Sequence, residues 1–261
     1  MTDYETLLVD VSESRVMTIT LNRPEKKNAI NALMWAELHE VFSDLRHRDA
    51  ARVVVITGAG DGFCSGADLT GGDPTERPNP FRSTRRLTDM AMLLNGLPQP
   101  TIAKVNGVAA GAGCNMALGC DLIVASDRAR FSEIYIQRGL SLDFAGSWLL
   151  PRLVGLHKAK ELAFFGDVID AAEAERLGIV NHVVAVDELD GFVEAWAQRL
   201  AASAPIALSQ TKRLLNLSLG PSLHDALVAE GAAASINHGT DDTKEALAAF
   251  REKRPASFTG Q

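Results

Sequence analysis

A short apolar run that ends in a glycine-rich loop occurs twice in this 261-residue chain. Residues 53–57 read Val-Val-Val-Ile-Thr and lead into Gly-Ala-Gly-Asp-Gly. Residues 100–105 lead into a second such loop, and the pattern then favours a helix beginning near Cys114. Continuous apolar runs are typical of strands buried on both faces, and glycine allows a sharp turn out of them. Buried strands must therefore alternate with helices, which predicts an α/β fold.

Other segments fit the same alternation. Residues 16–21 alternate in polarity as a strand does, and residues 121–125 predict a further buried strand. Residues 32–45 carry an apolar stripe at helical spacing. Its predicted N-cap is Asn31, with Asn28 as an alternative start.

The second part of the chain has a different pattern. After Ala171 the strand signal nearly disappears, and helices are predicted at residues 189–202, 205–217, 223–236 and 242–253. We therefore expect a core domain over residues 1–195 and a helical subdomain over residues 196–261. Residues 69–84 combine glycine and proline with polar residues and lack periodicity, which predicts a long loop of the kind that often forms a mobile lid.

Composition excludes several classes of protein. The formal net charge of −7 disfavours nucleic-acid and membrane-surface partners, because both select basic faces. The six histidines have no metal-ligand spacing, and none of the three cysteines forms a CxxC pair. The glycine loops also lack the last glycine of GxGxxG, and no Walker A motif occurs. We expect a cytoplasmic protein with no metal, no cofactor and no membrane partner.

Two loops place small residues where helices are expected to begin. They are Phe-Cys-Ser-Gly-Ala-Asp-Leu at residues 63–69 and Ala-Gly-Ala-Gly-Cys at residues 110–114. The first backbone N–H groups of a helix lack intrahelical partners, so such loops can stabilise a developing oxyanion. Tight turns that bind no ligand are the alternative.

These loops belong to a longer set of motifs. The set includes Thr-Leu-Asn-Arg-Pro at residues 20–24, the two small-residue loops, Cys-Asp at residues 120–121 and Leu-Pro-Arg-Leu-Val-Gly at residues 150–155. Over nearly the whole chain it resembles the enoyl-CoA hydratase/isomerase, or crotonase, superfamily. The resemblance implies a stacked ββα superhelix, a C-terminal helical trimerisation subdomain and a homotrimer or dimer of trimers. It also implies a coenzyme A thioester as substrate.

The resemblance also implies roles for individual residues. The oxyanion amides fall on Ala67 and Ala112. The remaining implied substrate-binding positions are Arg23, Lys26, Ala29, Gly66, Asp68, Leu69, Gly111, Tyr135, Phe250 and Lys253. The last two often reach a neighbouring subunit in this superfamily. A solvated surface turn is the alternative for the basic residues near the first strand, and we expect the Asp68 carboxylate to be chiefly structural.

The chain departs from the hydratase pattern at the proton-transfer positions. Asn115 and Tyr135 stand where hydratases carry two glutamates. An asparagine cannot accept a proton, and a tyrosine with an ordinary pKa of about 10 is a poor base at neutral pH. Asp143 lies between apolar residues that could raise the pKa of its carboxyl, and Glu133 is a weaker candidate.

The segment around Asp143 narrows the resemblance. Residues 139–153 are similar to isomerase members, notably the epoxyphenylacetyl-CoA isomerase and the enoyl and dienoyl-CoA isomerases, which use a carboxylate at the Asp143 position. The sequence thus favours double-bond migration with Asp143 as acid and base. A hydratase and a catalytically silent acyl-CoA-binding subunit remain open, as does a purely structural role for Asp143 as N-cap of a helix over residues 144–150.

Overall fold

The computed structural model describes residues 4–47, 50–70 and 80–261. Its strands are β1 (Leu7–Val11), β2 (Val16–Leu21), β3 (Val53–Gly58), β4 (Gly62–Cys64), β5 (Thr101–Val105), β6 (Val108–Ala110), β7 (Leu122–Ser126), β8 (Arg130–Ser132), β9 (Ile169–Asp170) and β10 (His182–Val184). Its α-helices are α1 (Ala32–His47), α2 (Pro80–Asn95), α3 (Ala112–Leu118), α4 (Gly146–Val154), α5 (Leu156–Phe165), α6 (Ala171–Arg176), α7 (Leu189–Ala201), α8 (Pro205–Leu217), α9 (Leu223–His238) and α10 (Asp241–Glu252). Short 3₁₀ helices cover Pro24–Lys26 and Ile134–Arg138.

The strands form two sheets. The larger has the order β1-β2-β3-β5-β7-β10 and is parallel except for the antiparallel pair β1–β2. The smaller has the order β4-β6-β8-β9 and is parallel except for β8–β9. Each of β3, β5 and β7 is followed along the chain by a strand of the smaller sheet and then by helix. This repetition confirms the stacked ββα superhelix.

Burial on both faces explains the continuous apolar strands. Helix α1 covers one face, where Met34, Leu38 and Phe42 are fully buried in the main core. Helix α7 covers the other, where its Val193 and Ala197 pack in a second cluster that includes residues of β2, β3, β5 and β7. Every residue of β3 is buried as a result. The predicted Asn31 cap is confirmed, because the Met34 N–H donates to its Oδ1 at 2.9 Å.

The four predicted C-terminal helices are present, but the first belongs with the sheet. A boundary at residues 195/196 would cut α7, whose buried face continues through Ala197 to Ala201. By contrast, α8 buries no residue and α9 buries only Ala233. The division into domains remains a prediction, and the packing would place its boundary after Ala201.

Three local predictions differ from the structure. Helix α3 begins at Ala112, two residues before the expected Cys114. No helix begins within residues 63–70, because this segment runs alongside residue 30 and forms a parallel bridge between Ile30 and Ala67. Helix α2 begins at Pro80, so residues 80–84 of the predicted loop are helical, whereas residues 71–79 lie outside the described part of the chain.

Close backbone contacts bring the two small-residue loops together. A Cβ atom on Gly113 would lie 2.2 Å from the backbone oxygen and 2.7 Å from the Sγ atom of Cys64. A Cβ atom on Gly66, which has a φ of +98°, would lie 2.9 Å from the Ala110 oxygen. Larger residues at these positions would separate the loop after β4 from the start of α3. Glycine is thus required at both positions because neighbouring backbone lies too close for a side chain. At Gly66 the positive φ angle also favours glycine.

We expect Gly113→Ala to lower the free energy of unfolding by about 1–3 kcal/mol or more, because the added methyl group must displace backbone. The matched control is Gly191→Ala on α7, where a Cβ atom meets nothing within 4 Å. That change should be neutral or stabilise by about 0.5–1 kcal/mol, since alanine favours helix. Urea unfolding of both variants measures the difference, and equal midpoints would contradict the tight contact.

Candidate active site

A cavity of about 300 Å³ lies where the loop after β4, the start of α3 and the 3₁₀ helix Ile134–Arg138 meet. Most of the residues expected to bind substrate come together in its wall. They are Lys26, Ala29, Gly66, Ala67, Asp68, Leu69, Gly111, Ala112, Tyr135 and Asp143. Residues from four separate stretches of the chain therefore share one site.

Two backbone N–H groups in this wall are free to donate. The Ile30 N–H donates to the Gly66 oxygen at 2.8 Å, and the Asp68 N–H donates to the Ile30 oxygen at 2.9 Å. The intervening N–H of Ala67 has no acceptor among the described residues. Ala112 is the first residue of α3, so its N–H has no intrahelical acceptor. Together the two N–H groups can hold an oxyanion in the cavity.

Asp68 stabilises the loop that carries the first donor. Its carboxylate accepts hydrogen bonds from the Thr70 hydroxyl at 2.6 Å, from the Thr70 N–H at 2.9 Å and from Arg23 Nη1 at 2.9 Å. These Thr70 bonds, aided by the Arg23 charge, lower the pKa of Asp68 to about 2. The same Arg23 nitrogen also donates to the Ala29 oxygen at 2.5 Å. Arg23 therefore stabilises the cavity wall through Ala29 and Asp68 but does not line the cavity itself.

Asp68→Asn should lower the free energy of unfolding by about 1–3 kcal/mol at neutral pH, because the charged acceptor is lost. Since the folded pKa is depressed, this stabilisation is present above about pH 4 and disappears as the pH falls towards 2. The difference between wild type and variant should shrink over that range in urea titrations.

The matched control is Asp61→Asn. Asp61 pairs with Lys27, but its side chain is 77% exposed, so solvent screens the pair. We expect little change in stability for this variant. Equal effects of the two substitutions would contradict the role assigned to Asp68.

Asp143 is held in a hydrogen-bonded network. The Tyr135 hydroxyl donates to Asp143 Oδ1 at 2.5 Å. Asn115 Nδ2 donates both to the Tyr135 hydroxyl oxygen at 3.0 Å and to the Asp143 backbone oxygen at 2.9 Å. Burial raises the pKa of the Asp143 carboxyl, and the Tyr135 bond partly offsets that rise. The raised pKa brings the carboxyl nearer to the range in which it can both accept and return a proton.

Tyr135 is a neutral donor in this network. Burial and the neighbouring Asp143 charge raise the pKa of its hydroxyl, so the phenol keeps its proton.

The alternative prediction, that Asp143 is the N-cap of a helix over residues 144–150, is wrong. Helix α4 begins at Gly146 after Ala145, and no side chain caps it. The Asp143 carboxylate is thus available in the cavity wall.

Glu133 lies behind the site. It is 3% exposed and does not line the cavity, although it is only two residues from Tyr135. Burial raises the pKa of its carboxyl to about 7. Direct proton exchange with a ligand in this cavity is therefore not open to Glu133 in this arrangement.

Two predicted positions lie elsewhere. Phe250, on α10, is 83% exposed, and Lys253 follows the end of that helix with a φ of 56°. Neither lines the cavity within this chain. The sequence analysis missed Ser65, Thr70, Ile134, Arg138 and Leu140, which do line it. Arg138 could have been found, because residues three apart share a face of a 3₁₀ helix and Arg138 follows Tyr135 by three.

A larger cavity of about 540 Å³ adjoins the same aspartate. Helix α2 and residues 141–149 line it, and Asp143 belongs to both cavities. Met92 is 67% exposed and faces this space, whereas Met90 and Leu94 of the same helix are buried in the core. Its wall also includes Leu87 and Trp148. Asp143 therefore lies between the two cavities and can be reached from either.

The described residues contain no cluster of His, Cys, Asp and Glu side chains that could hold a metal ion. In that part of the chain, no helix is long and apolar enough to cross a membrane.

The two cysteines near the cavity are not reactive. Burial raises the pKa of Cys64 to about 12 and that of Cys114 well above its ordinary value, so both remain thiols. Neither is an activated nucleophile.

A ββα superhelix with two free N–H donors beside a partly buried carboxylate has the groups that an enzyme needs to stabilise an acyl oxyanion. The family model "Enoyl-CoA hydratase/isomerase" matches residues 12–261. The chain therefore belongs to the enoyl-CoA hydratase/isomerase family. Acyl-CoA thioesters fit this family as substrates.

Named relatives include both activities. The chain is 37% identical to the 1,2-epoxyphenylacetyl-CoA isomerase of Escherichia coli, over 95% of this chain and 97% of that protein. It is 34% identical to the short-chain-enoyl-CoA hydratase of Clostridium acetobutylicum, over 93% of each. The crystal structure of an enoyl-CoA hydratase from Bacillus anthracis superposes with a TM-score of 0.94 at 31% identity, covering 98% of this chain and all of that one. These similarities do not separate isomerase from hydratase.

Proposed function

We propose that this enzyme shifts the double bond of an enoyl-CoA thioester, with Asp143 as acid and base. The observation that carries the proposal is that Asp143 shares a cavity with the free N–H groups of Ala67 and Ala112. Among the described residues lining that cavity, the other carboxylate is Asp68, which is held by Thr70 and Arg23. One accessible carboxylate suffices for isomerisation.

The proposed reaction begins with a 3-enoyl thioester whose carbonyl oxygen accepts hydrogen bonds from Ala67 and Ala112. The Asp143 carboxylate removes a proton from C2, and the electron pair passes into the carbonyl to give an enolate. The two N–H groups stabilise this negative charge, which develops only as the C–H bond breaks. The protonated Asp143 then returns the proton at C4, which gives the 2-enoyl thioester and restores the carboxylate.

The two cavities suggest how the substrate lies. The thioester would occupy the smaller cavity, and the acyl group would extend past Asp143 into the larger one beside Met92 and Trp148. Lys26 and Arg138, both exposed in the wall of the smaller cavity, could meet the phosphates of coenzyme A. These assignments provide a local basic cluster in an acidic protein.

A homotrimer or dimer of trimers would complete the site in this proposal. Phe250 and Lys253 could then contact the substrate of a neighbouring subunit. Exposed leucines on α8 and α9, at positions 215, 223 and 227, supply apolar surface for such an assembly. The cytoplasmic location and the absence of a cofactor remain predictions.

Hydration of a 2-enoyl thioester is the second candidate, because the Clostridium relative carries that name. A hydratase must activate a water and also deliver a proton. Asn115 and Tyr135 supply neither a base nor a strong acid here, since the tyrosine pKa is raised. Incubation with crotonyl-CoA distinguishes the candidates, because hydration gives a 3-hydroxyacyl product. Tight binding of acyl-CoA without turnover of any enoyl substrate would instead indicate the silent binding subunit.

Asp143→Asn should lower kcat for isomerisation of a 3-enoyl-CoA by about 10²–10⁴-fold, because proton transfer loses its base. Acyl-CoA affinity should stay close to wild type, since both N–H donors remain. The rate is followed by the absorbance of the conjugated 2-enoyl thioester, and affinity by calorimetry. Asp127→Asn, at an exposed position, is the control. A variant with nearly wild-type rate would rule out Asp143 as the acid and base.

Tyr135→Phe should move the acidic limb of the kcat profile to higher pH. The Tyr135 bond lowers the pKa of Asp143, so its loss raises that pKa, and the base must be ionised to act. The rate should therefore fall most at low pH and recover as the pH rises. A limb displaced to lower pH would contradict this assignment of donor and acceptor.

A further inference from the structure

A buried carboxyl lies beneath the Asp143 network without a hydrogen-bond partner. Glu133 is 3% exposed, and neither of its carboxyl oxygens bonds to any described residue. It precedes the 3₁₀ helix Ile134–Arg138 but does not cap it. Nor does it pair with a described lysine or arginine, so its negative charge would be uncompensated.

A second unsatisfied atom lies in the same network. The Asn115 amide donates to Tyr135 and to the Asp143 backbone, but its buried Oδ1 accepts no hydrogen bond from the described residues. The Asn115 side chain lies beside Glu133 and favours its charged form, although not enough to offset burial. An unpaired buried acceptor is costly, and a neutral carboxylic acid beside it offers a donor that can satisfy it.

We propose that Glu133 is a positioning residue: its neutral carboxylic acid donates to Asn115 Oδ1 and thereby fixes the Asn115 amide against Tyr135 and Asp143. This inference rests on the proposed role of Asp143. When Glu133 ionises, the donor is lost and Asn115 Oδ1 is left without its hydrogen bond. The amide then turns or shifts, and the Tyr135 bond that orients the Asp143 carboxylate weakens. Glu133 itself does not touch the substrate.

The surroundings of Glu133 favour the neutral form. Burial has the largest effect and, with the Asp143 charge, raises the pKa of Glu133 by more than the Cys114 thiol and the Asn115 side chain lower it. Tyr135 is neutral, and Asp167 lines the same small cavity of about 10 Å³. Because burial already raises the pKa of Glu133 to about 7, the proton can leave near neutral pH.

Glu133→Gln tests the proposal, because glutamine is neutral at every pH and keeps a donor for Asn115. The ratio of kcat for this variant to kcat for wild type should rise about tenfold between pH 6 and pH 8, as a group with a pKa of about 7 goes from mostly neutral to mostly ionised. Asp167→Asn, the matched control in the same small cavity, should give a flat ratio. A flat ratio for Glu133→Gln would overturn the proposal.

A second measurement does not depend on the reaction. A raised folded pKa makes wild type lose stability as the pH rises from about 4.5 to about 7. The urea midpoints of wild type and Glu133→Gln should therefore agree near pH 4.5, separate as the pH rises to about 7 and keep that difference above it, with the variant more stable. Parallel midpoints at all pH values would overturn the proposal even if no isomerase activity were found.

The infrared spectrum of Asp143→Asn protein covers the case in which Glu133→Gln does not fold. Protonated Glu133 should give a carboxylic-acid carbonyl band at pH 5 that fades by pH 8, free of any contribution from Asp143, whose charge no longer raises the Glu133 pKa. Absence of that band at pH 5 would overturn the neutral form. If the kcat ratio, the urea midpoints and the infrared band all agree with the proposal but Asp143→Asn isomerises normally, the proposed function is wrong while the titration of Glu133 is still supported.

Discussion

The contact between the loop after β4 and the start of α3 is the constraint on which the site depends. Gly113 packs against the backbone of Cys64, and Gly66 packs against that of Ala110, at distances that admit no side chain. Only this approach puts the N–H groups of Ala67 and Ala112 in one cavity wall. The ββα repeat supplies the frame, since each loop follows a strand of the smaller sheet.

In the proposed mechanism, stabilisation of the oxyanion and transfer of the proton are therefore separate tasks. The first uses backbone atoms, so replacing glutamates by Asn115 and Tyr135 leaves it intact. The second depends on side chains that enter from the segment after β8, where Asp143 receives its hydrogen bond from Tyr135. One framework can thus serve isomerases and hydratases alike, because the groups that differ are not those that hold the loops together.

The sequence predicts what depends on long patterns and on local geometry. The buried strand β3, the helix α1 with its Asn31 cap and the four C-terminal helices follow from periodicity and burial. The smaller sheet does not, because its strands have only two or three residues and show no alternation. The hydrogen bonds of Asn115 also escape prediction, since they join residues 20 and 28 positions apart through the tertiary fold.

Burial decides how the two neighbouring carboxyls divide their roles. Asp143 opens into both cavities, so a ligand can reach it, whereas Glu133 is enclosed by α3 and the 3₁₀ helix. The Asp143 charge raises the cost of charging Glu133, and the enclosed Glu133 gives up its charge more readily because water cannot compensate it. Glu133 is nearer in sequence to Tyr135, which stands at a hydratase glutamate position, yet the sequence favours Asp143 over it. In the proposed mechanism, this difference in solvation assigns the base to Asp143 and leaves Glu133 to position the network beneath it.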